Sequence, residues 1–299
     1  MGFLFAVGLP VGPSLSPPPT SATGAAGGPT LPADVSTPAP EQPASGTVSG
    51  TVTYDDGRPL SGATVSVSAI GYLIDLTGNS DAQGNYLLAL PGDPLRYTAA
   101  AWFDISYRDQ LYHFPLEPVG GPPPDFGVEG LVQDFRWSLS GPAWWGLNET
   151  IGSSIEIYGY DPLADPAAEN PLDAPAGAQI QLHLRPLEPL IDGSTGEELS
   201  PTVTIGRGPA RYDFSPLATV RDVPVGRYEL SARLLLADGS ATPLRVTATC
   251  ARSGPSCPNP PPPLATTAVI AFPPVDVTTN PRPYQGQPAA DAWLYVITE

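Results

Sequence analysis

Residues 46–70 have the sequence GTVSGTVTYDDGRPLSGATVSVSAI, and this stretch decides the fold class. Valine alternates with small or polar residues on both sides of the central DDGRPLSG cluster. A period of two residues is typical of a half-buried β-strand, and Asp-Asp-Gly is a common turn sequence. The stretch therefore predicts two strands joined by a turn.

The same pattern continues along the chain. Further strands are predicted at NYLLAL, LRYTAAAWF, ISYRDQLYHF and LVQDFRWSL, and a second set extends from IEIYGY to AWLYVIT and includes ARYDF. The 41 prolines and 31 glycines argue against long helices. Short strands with regular turn signals are typical of sandwiches. We predict an all-β chain with two tandem Ig-like or transthyretin-like β-sandwiches.

The predicted organisation has four parts. Residues 1–45 comprise an apolar N-terminus and a Pro/Ser/Thr/Gly-rich leader that is expected to be disordered. The first sandwich covers 46–140, a connection covers 141–154 and the second sandwich covers 155–299. The opening MGFLFAVGLPVG is either the end of a signal-peptide apolar region or simply a hydrophobic terminus.

Four motifs stand in a specific order: Gly50-Thr51-Val52, Gly57–Val65 (GRPLSGATV), Asp81–Tyr86 (DAQGNY) and Leu90-Pro91-Gly92. On these motifs, residues of about 46–138 resemble the carboxypeptidase regulatory-like family, a transthyretin-like and carbohydrate-binding-like fold. The resemblance implies a β-sandwich with glycines in its turns, and with Tyr86 in the core and its hydroxyl near a strand end. It implies the accessory module of such carboxypeptidases without the enzyme.

The second region contains echoes of the same motifs, which predict a diverged second copy. The echoes are Pro171-Leu172 for Pro59-Leu60, Gly177–Ile180 for Gly62–Val65, and Val223–Tyr228 for Gln83–Tyr86.

Charge and composition exclude several classes of partner. Thirty acidic residues face thirteen basic ones, all of them arginine, for a net charge of −17. Binding to nucleic acid or to an anionic membrane surface needs basic clusters, and the sequence has none. No segment is apolar for long enough to span a membrane. The absence of lysine favours a bacterial source with a GC-rich genome.

No motif of catalysis or of cofactor binding is present, so we predict a protein that is not an enzyme, with no catalytic residue and no cofactor. His113 and His183 have no glutamate at metal-ligand spacing and are expected to be structural, and no Gly-x-Ser-x-Gly sequence occurs. Carboxylate pairs for glycoside hydrolysis depend on three-dimensional spacing and stay open.

Two features of the sequence could hold a cross-link or a metal ion. Cys250 and Cys257 are expected to form a disulfide, and two free thiols or half of a metal site are the alternatives. Calcium is an alternative to ordinary Asx-type turns at two groups of acids. These groups are Asp55, Asp56 and Asp81, and Asp161, Asp165, Glu169 and Asp173.

Trp144 and Trp145 are the candidate ligand-binding residues, because adjacent indoles outside the strands can stack on sugar rings. Alternatively, both fill the space between the two sandwiches. Trp102, Trp137 and Trp293 fall in predicted strands and are expected in the core.

These observations predict a non-catalytic, extracellular or cell-envelope protein whose sandwiches serve structure and interaction. Its expected partner is a polysaccharide or another envelope protein. A carbohydrate-binding module with exposed aromatic residues is the alternative, and a hydrolase with an unrecognised site is a remote one.

Overall fold

A computed structural model describes residues 45–159, 174, 177–206, 216–250, 263–275 and 288–298. Every secondary-structure element in these ranges is a β-strand, which confirms the all-β prediction. No helix among them is long and apolar enough to cross a membrane. The leader up to residue 44 and the strand predicted at ARYDF, residues 210–214, lie outside the described residues.

The first nine strands form what we call the first module. They are β1 (Thr47–Tyr54), β2 (Thr64–Ala69), β3 (Asp75–Asn79), β4 (Asn85–Ala89), β5 (Tyr97–Tyr107), β6 (Gln110–Pro115), β7 (Glu117–Pro118), β8 (Leu131–Val132) and β9 (Phe135–Trp137). One sheet has the order β4-β1-β9-β7, with β8 also paired to β1, and the other has the order β3-β2-β5-β6. Val48, Val65 and Phe114 are among the fully buried side chains between them.

The remaining described strands form the second module. They are β10 (Ser153–Gly159), β11 (Gln179–Pro186), β12 (Thr202–Thr204), β13 (Ala218–Val223), β14 (Arg227–Leu235), β15 (Ala241–Cys250), β16 (Ala268–Ala271) and β17 (Ala292–Thr298). They form one sheet of order β12-β11-β14-β15-β17-β10-β13, with β16 beside β14. The two ends of the sheet meet where Gly206 N–H donates to the Leu217 carbonyl at 3.0 Å. The sheet therefore folds over on itself and encloses its core.

The two modules share one pattern of strand pairing. The pairs β1–β4, β2–β3, β2–β5 and β5–β6 correspond to β10–β13, β11–β12, β11–β14 and β14–β15, all antiparallel. The parallel pair β1–β9 corresponds to β10–β17. β6 and β7 are separated only by Leu116 and together correspond to the longer β15. β6 pairs with β5 and β7 pairs with β9, just as β15 pairs first with β14 and then with β17. The tandem-sandwich prediction is confirmed.

The pairing tests two of the three predicted sequence echoes, and the third, Pro171-Leu172, lies outside the described residues. Gly62 and Gly177 both have a left-handed backbone, with φ of 82° and 89°, just before β2 and β11. Ala63 and Ala178, which follow them, are both buried. This echo agrees with the structure.

The echo that places Tyr228 opposite Tyr86 is wrong. Tyr228 lies in β14, the counterpart of β5, whereas Tyr86 lies in β4, the counterpart of β13. Tyr228 pairs with Ile270 just as Tyr97 of β5 pairs with Phe126. Tyr97 is therefore the matching residue, although the sequence around it lacks the Gly-x-Tyr signal.

The three tryptophans predicted in the core differ in their burial. Trp137 is buried, as predicted, whereas Trp102 and Trp293 are only half-buried. Successive side chains of a strand point to opposite faces of the sheet. Their neighbours Ala101 and Ala292 take the buried face, so the two indoles lie on the outer face instead.

Two segments predicted as single strands are interrupted. ISYRDQLYHF is a hairpin between β5 and β6, because Arg108 and Asp109 both take positive φ (52° and 59°), as a tight two-residue turn requires. LVQDFRWSL breaks between β8 and β9. There, the Asp134 carboxylate accepts hydrogen bonds from the Thr51 N–H (2.7 Å) and hydroxyl (2.8 Å), in place of a main-chain acceptor.

A close approach of two backbones requires glycine at position 50. A Cβ at Gly50 would lie 2.0 Å from the carbonyl oxygen of Gln133 and 3.0 Å from the ring of Tyr86. The Tyr86 hydroxyl donates to that same carbonyl at 2.5 Å, and the side chain is buried. The predicted core position of Tyr86 is confirmed.

Gly50→Ala is expected to destabilise the protein by about 1–3 kcal/mol, because the new methyl group forces β1 away from Gln133. Gly92→Ala is the matched control, since a Cβ there meets no atom within 4 Å. The measurement is urea unfolding followed by tryptophan fluorescence. Equal midpoints for the two variants would contradict the close approach.

Candidate functional site

The predicted connection that carries Trp144 and Trp145 is a short antiparallel loop. Ala143 N–H donates to the Glu149 carbonyl, and Ile151 N–H donates to the Gly141 carbonyl, both at 2.9 Å. This pairing turns the chain back on itself and brings the two indoles to the tip of the loop.

The two indoles pack against each other edge to face. Their ring centroids are 6.0 Å apart and their planes meet at 80°. Both side chains are half-buried, and the Trp144 indole N–H is buried without a hydrogen-bond partner among the described residues. Perpendicular rings offer no common flat surface for a sugar. Binding of a glycan at this pair stays a prediction.

Asp222 fastens this loop to the second module. Its carboxylate accepts hydrogen bonds from the Gly141 N–H at 2.8 and 2.9 Å and from the Gly152 N–H at 3.1 Å, and we call this contact the Asp222 clamp. Asp222 itself has a φ of 64°, which aspartate tolerates better than most residues. Nothing in the sequence marks this residue, because its position inside the predicted strand ATVRDV gives no sign of a distant partner.

Two tyrosines of the β5–β6 hairpin join the first module to the second. The Tyr112 hydroxyl donates to the Phe272 carbonyl at 2.6 Å, and both residues are buried. The Tyr107 hydroxyl lies 3.2 Å from the Glu188 carboxylate and donates to the Pro189 carbonyl at 3.1 Å. The two phenol rings contact each other edge to face, with centroids 6.1 Å apart. We call this contact the tyrosine joint.

The tyrosine joint favours neutral phenols. Burial raises the pKa of Tyr112 to about 12. Burial, together with the nearby Glu188 carboxylate, raises the pKa of Tyr107 to about 12. Both hydroxyls therefore stay protonated, and able to donate, well above neutral pH.

A cleft of about 400 Å³ lies between the two modules. The first module contributes Tyr54, Arg58 and Trp137 to its walls, and the second contributes Asp192, Glu197 and Tyr228. Trp137 is buried, and its indole N–H has no hydrogen-bond partner among the described residues. Sequence reasoning missed this cleft, because its two walls come from distant parts of the chain.

Both histidines pair with carboxylates of their own module. His113 Nδ1 lies 2.6 Å from the Asp104 carboxylate across β5 and β6, and the ring contacts Trp102. His183 Nε2 lies 3.1 Å from Glu198. These contacts agree with the predicted structural role of both histidines.

Two of the three acids of the first predicted calcium group hold turns, and the third, Asp55, lies 3.6 Å from the Arg136 guanidinium. Asp81 accepts hydrogen bonds from the N–H groups of Gln83 (2.9 Å) and Asn85 (2.8 Å), which is an Asx-type turn. Asp56 accepts hydrogen bonds from the guanidinium and the backbone of Arg58, which lower the pKa of Asp56. Within the described ranges, no group of three or more side chains could hold a metal ion.

Two predictions concern residues that the structure leaves outside its description. The acids Asp161, Asp165, Glu169 and Asp173 all lie there. So does Cys257, and the disulfide between Cys250 and Cys257 therefore stays a prediction. The backbone of Cys250 ends β15, opposite Ala292.

Comparisons with known proteins concern the fold alone. No protein-family model and no curated protein matches the chain. Among solved structures, it is similar to the Bacillus anthracis TIE protein at 11% identity and a TM-score of 0.29, over 77% of this chain and 44% of that one. The shaft pilin SpaA of Lactobacillus rhamnosus GG shows 9% identity and a TM-score of 0.22, over 86% and 99% of the two chains. The major pilin of Streptococcus pyogenes shows 10% identity and a TM-score of 0.23, over 86% of this chain and 98% of that one.

The β-sandwich architecture of this chain is established by its own strand pairing. The chain spans less than half the length of the TIE protein.

Asp222→Asn is expected to loosen the loop while leaving the fold intact, because asparagine keeps the left-handed backbone but replaces one acceptor oxygen with a donor. The expected cost is about 1–2 kcal/mol. Amide exchange at Gly141 and Gly152 should accelerate, and the fluorescence of Trp144 and Trp145 should change. The exposed Asp75→Asn is the control, and unchanged exchange in Asp222→Asn would contradict the clamp.

Stability is expected to fall with rising pH between 10 and 12, because folding raises the pKa of Tyr112 from 10.0 to about 12. The folded state binds this proton more tightly than the unfolded chain does, so the contribution of the neutral phenol is complete below pH 10 and is lost as pH rises. Tyr112→Phe should cost about 1–3 kcal/mol at neutral pH, since it leaves the Phe272 carbonyl unpaired, and should flatten the alkaline decline.

The measurement is the free energy of unfolding in urea as a function of pH. Tyr72→Phe is the matched control, because Tyr72 is 59% exposed. The same alkaline slope in Tyr112→Phe and in the wild type would rule out the assignment.

Proposed function

We propose that this protein is a non-catalytic structural and interaction protein of the cell envelope or extracellular space. Its two β-sandwiches are held in a fixed arrangement and act as one rigid spacer. The observation that carries the proposal is the buried hydrogen bond from Tyr112 of the first module to the Phe272 carbonyl of the second. If the modules were joined only by a flexible linker, this carbonyl would accept its hydrogen bond from water instead.

Three further observations support a fixed arrangement. Arg108, at the tip of the β5–β6 hairpin, lies 3.4 Å from the Glu188 carboxylate that also contacts Tyr107. The Asp222 clamp holds the chain that leads from one module to the next. The buried apolar side chains of both modules belong to one continuous cluster.

The non-catalytic part of the proposal is supported by the roles of the polar side chains. The carboxylates of Asp81, Asp134 and Asp222 each accept backbone hydrogen bonds, and each histidine pairs with a nearby carboxylate. These groups serve the folded state.

Membership of the carboxypeptidase regulatory-like family is the finer proposal for the first module. It is supported by Gly57, Gly62 and Gly84, whose φ values of 82°, 82° and 78° are those that a turn glycine provides. The buried Tyr86, which stands near the start of β4 after Gly84, gives the same support.

The test is whether the two modules of the full chain unfold together. Hydrogen exchange of β2 and of β14 is measured at increasing urea concentration. We expect one shared midpoint in the wild type and two separate midpoints in Tyr107→Phe/Tyr112→Phe, since the double variant removes the hydrogen bonds of the joint but keeps its rings. Separate midpoints in the wild type would mean independent modules and would overturn the rigid spacer.

A further inference from the structure

We propose that the cleft between the two modules binds a basic side chain, arginine or lysine, of a protein partner. This inference rests on the proposed interaction function and specifies the chemical group that the protein recognises in its partner. The charge of the cleft, its aromatic wall and its size each support it.

The cleft carries an excess of negative charge that no side chain in the described part of the chain neutralises. Only one of the charged side chains that line it is basic, and this residue, Arg58, pairs with Asp56 at 2.6 Å. Asp192 and Glu197, on the opposite wall, form no ion pair with any described residue, although Asp192 is near enough to help raise the pKa of Arg58. Two carboxylates in a concave site between low-dielectric walls attract a cation and repel an anion.

The protein's own Arg58 shows how a cation fits this wall. Its guanidinium carbon lies 4.6 Å from the centre of the Tyr54 ring, and its Nε donates to Asp56. The contact combines a cation–π interaction with a charged hydrogen bond. On the opposite side, Asp192 and Glu197 supply carboxylates for a second cation.

The apolar part of the cleft favours an organic cation over a metal ion. Leu190, Leu199 and Trp137 line it, and these side chains offer no ligand to a metal. The alkyl stem of lysine or arginine packs on such a surface while its charged head reaches the carboxylates. A bare metal ion would gain nothing from this wall.

The size of the cleft limits what it holds. A volume of about 400 Å³ is at the lower end of small-ligand pockets. It accommodates one long side chain with its adjoining backbone. The Trp137 indole N–H has no hydrogen-bond acceptor among the described residues, and a backbone carbonyl of the partner would provide one. The occupant is therefore an exposed basic residue of a partner, presented on a loop or a tail.

The probe is the peptide acetyl-Gly-Arg-Gly-amide, compared with its citrulline analogue, which has nearly the same shape and no charge. Binding to the full chain is measured by titration calorimetry at low and high salt. We expect the arginine peptide to bind about tenfold more tightly than the citrulline peptide, because it can form two partly exposed ion pairs. This difference in affinity should shrink in high salt.

The decisive variant is Asp192→Asn/Glu197→Gln, which removes both charges and keeps side-chain size. The amide oxygen of the asparagine can still accept the hydrogen bond from the Ser194 N–H that Asp192 accepts at 2.9 Å. The control is Asp75→Asn/Asp93→Asn, which removes the same total charge from exposed positions outside the cleft. Only the first variant should lose the preference for arginine.

Equal binding of the two peptides, or an equal loss in both double variants, would overturn the inference. Binding of a neutral oligosaccharide in place of either peptide would do the same. If the wild type unfolds with one midpoint but shows no preference for the arginine peptide, only the proposed ligand is wrong. If the wild type unfolds with two midpoints, the proposal of a rigid spacer is wrong.

Discussion

A buried carbonyl oxygen needs a donor, and the carbonyl of Phe272 obtains its donor from the other module. Tyr112 reaches it from β6 at 2.6 Å, in a position closed to water. Leaving that carbonyl unpaired would cost about 1–3 kcal/mol, a large fraction of the stability of an ordinary domain. The arrangement of the two sandwiches, and every feature between them, depends on this contact.

The cleft is a consequence of the joint. Tyr107 and Tyr112 hold the modules together at the tip of the β5–β6 hairpin, and the walls contributed by β1, β9 and the loops around Asp192 and Pro224 do not fill the remaining space. Side chains that neither module can bury alone line the gap at such a boundary. The carboxylates of Asp192 and Glu197 have no basic partner there among the described residues, because the thirteen arginines of the chain are few and those nearby are already paired.

The repeated topology shows how loosely strand pairing depends on particular residues. β1–β9 and β10–β17 pair in the same order, although Tyr86 and Gly50 have no counterpart in the second module that the motifs identify. Alternation of buried and exposed side chains is enough to specify a strand and its inner face. Similar topologies therefore arise from sequences in which only short turn motifs, such as Gly62-Ala63 and Gly177-Ala178, still match.

The sequence by itself determined the fold class, most of the strands and the turn glycines, because a two-residue period and a positive φ are local properties. It also identified Tyr86 as a core residue through a motif of neighbouring residues, Asp81–Tyr86. Only the tertiary structure decided the tyrosine joint, the Asp222 clamp and the cleft. The hydrogen bonds of the joint and the clamp join residues that are 70 to 160 positions apart, such as Gly152 with Asp222 and Tyr112 with Phe272. A side chain that contacts a distant backbone group leaves no periodic trace in its own strand, so its partner is known only once both segments are folded.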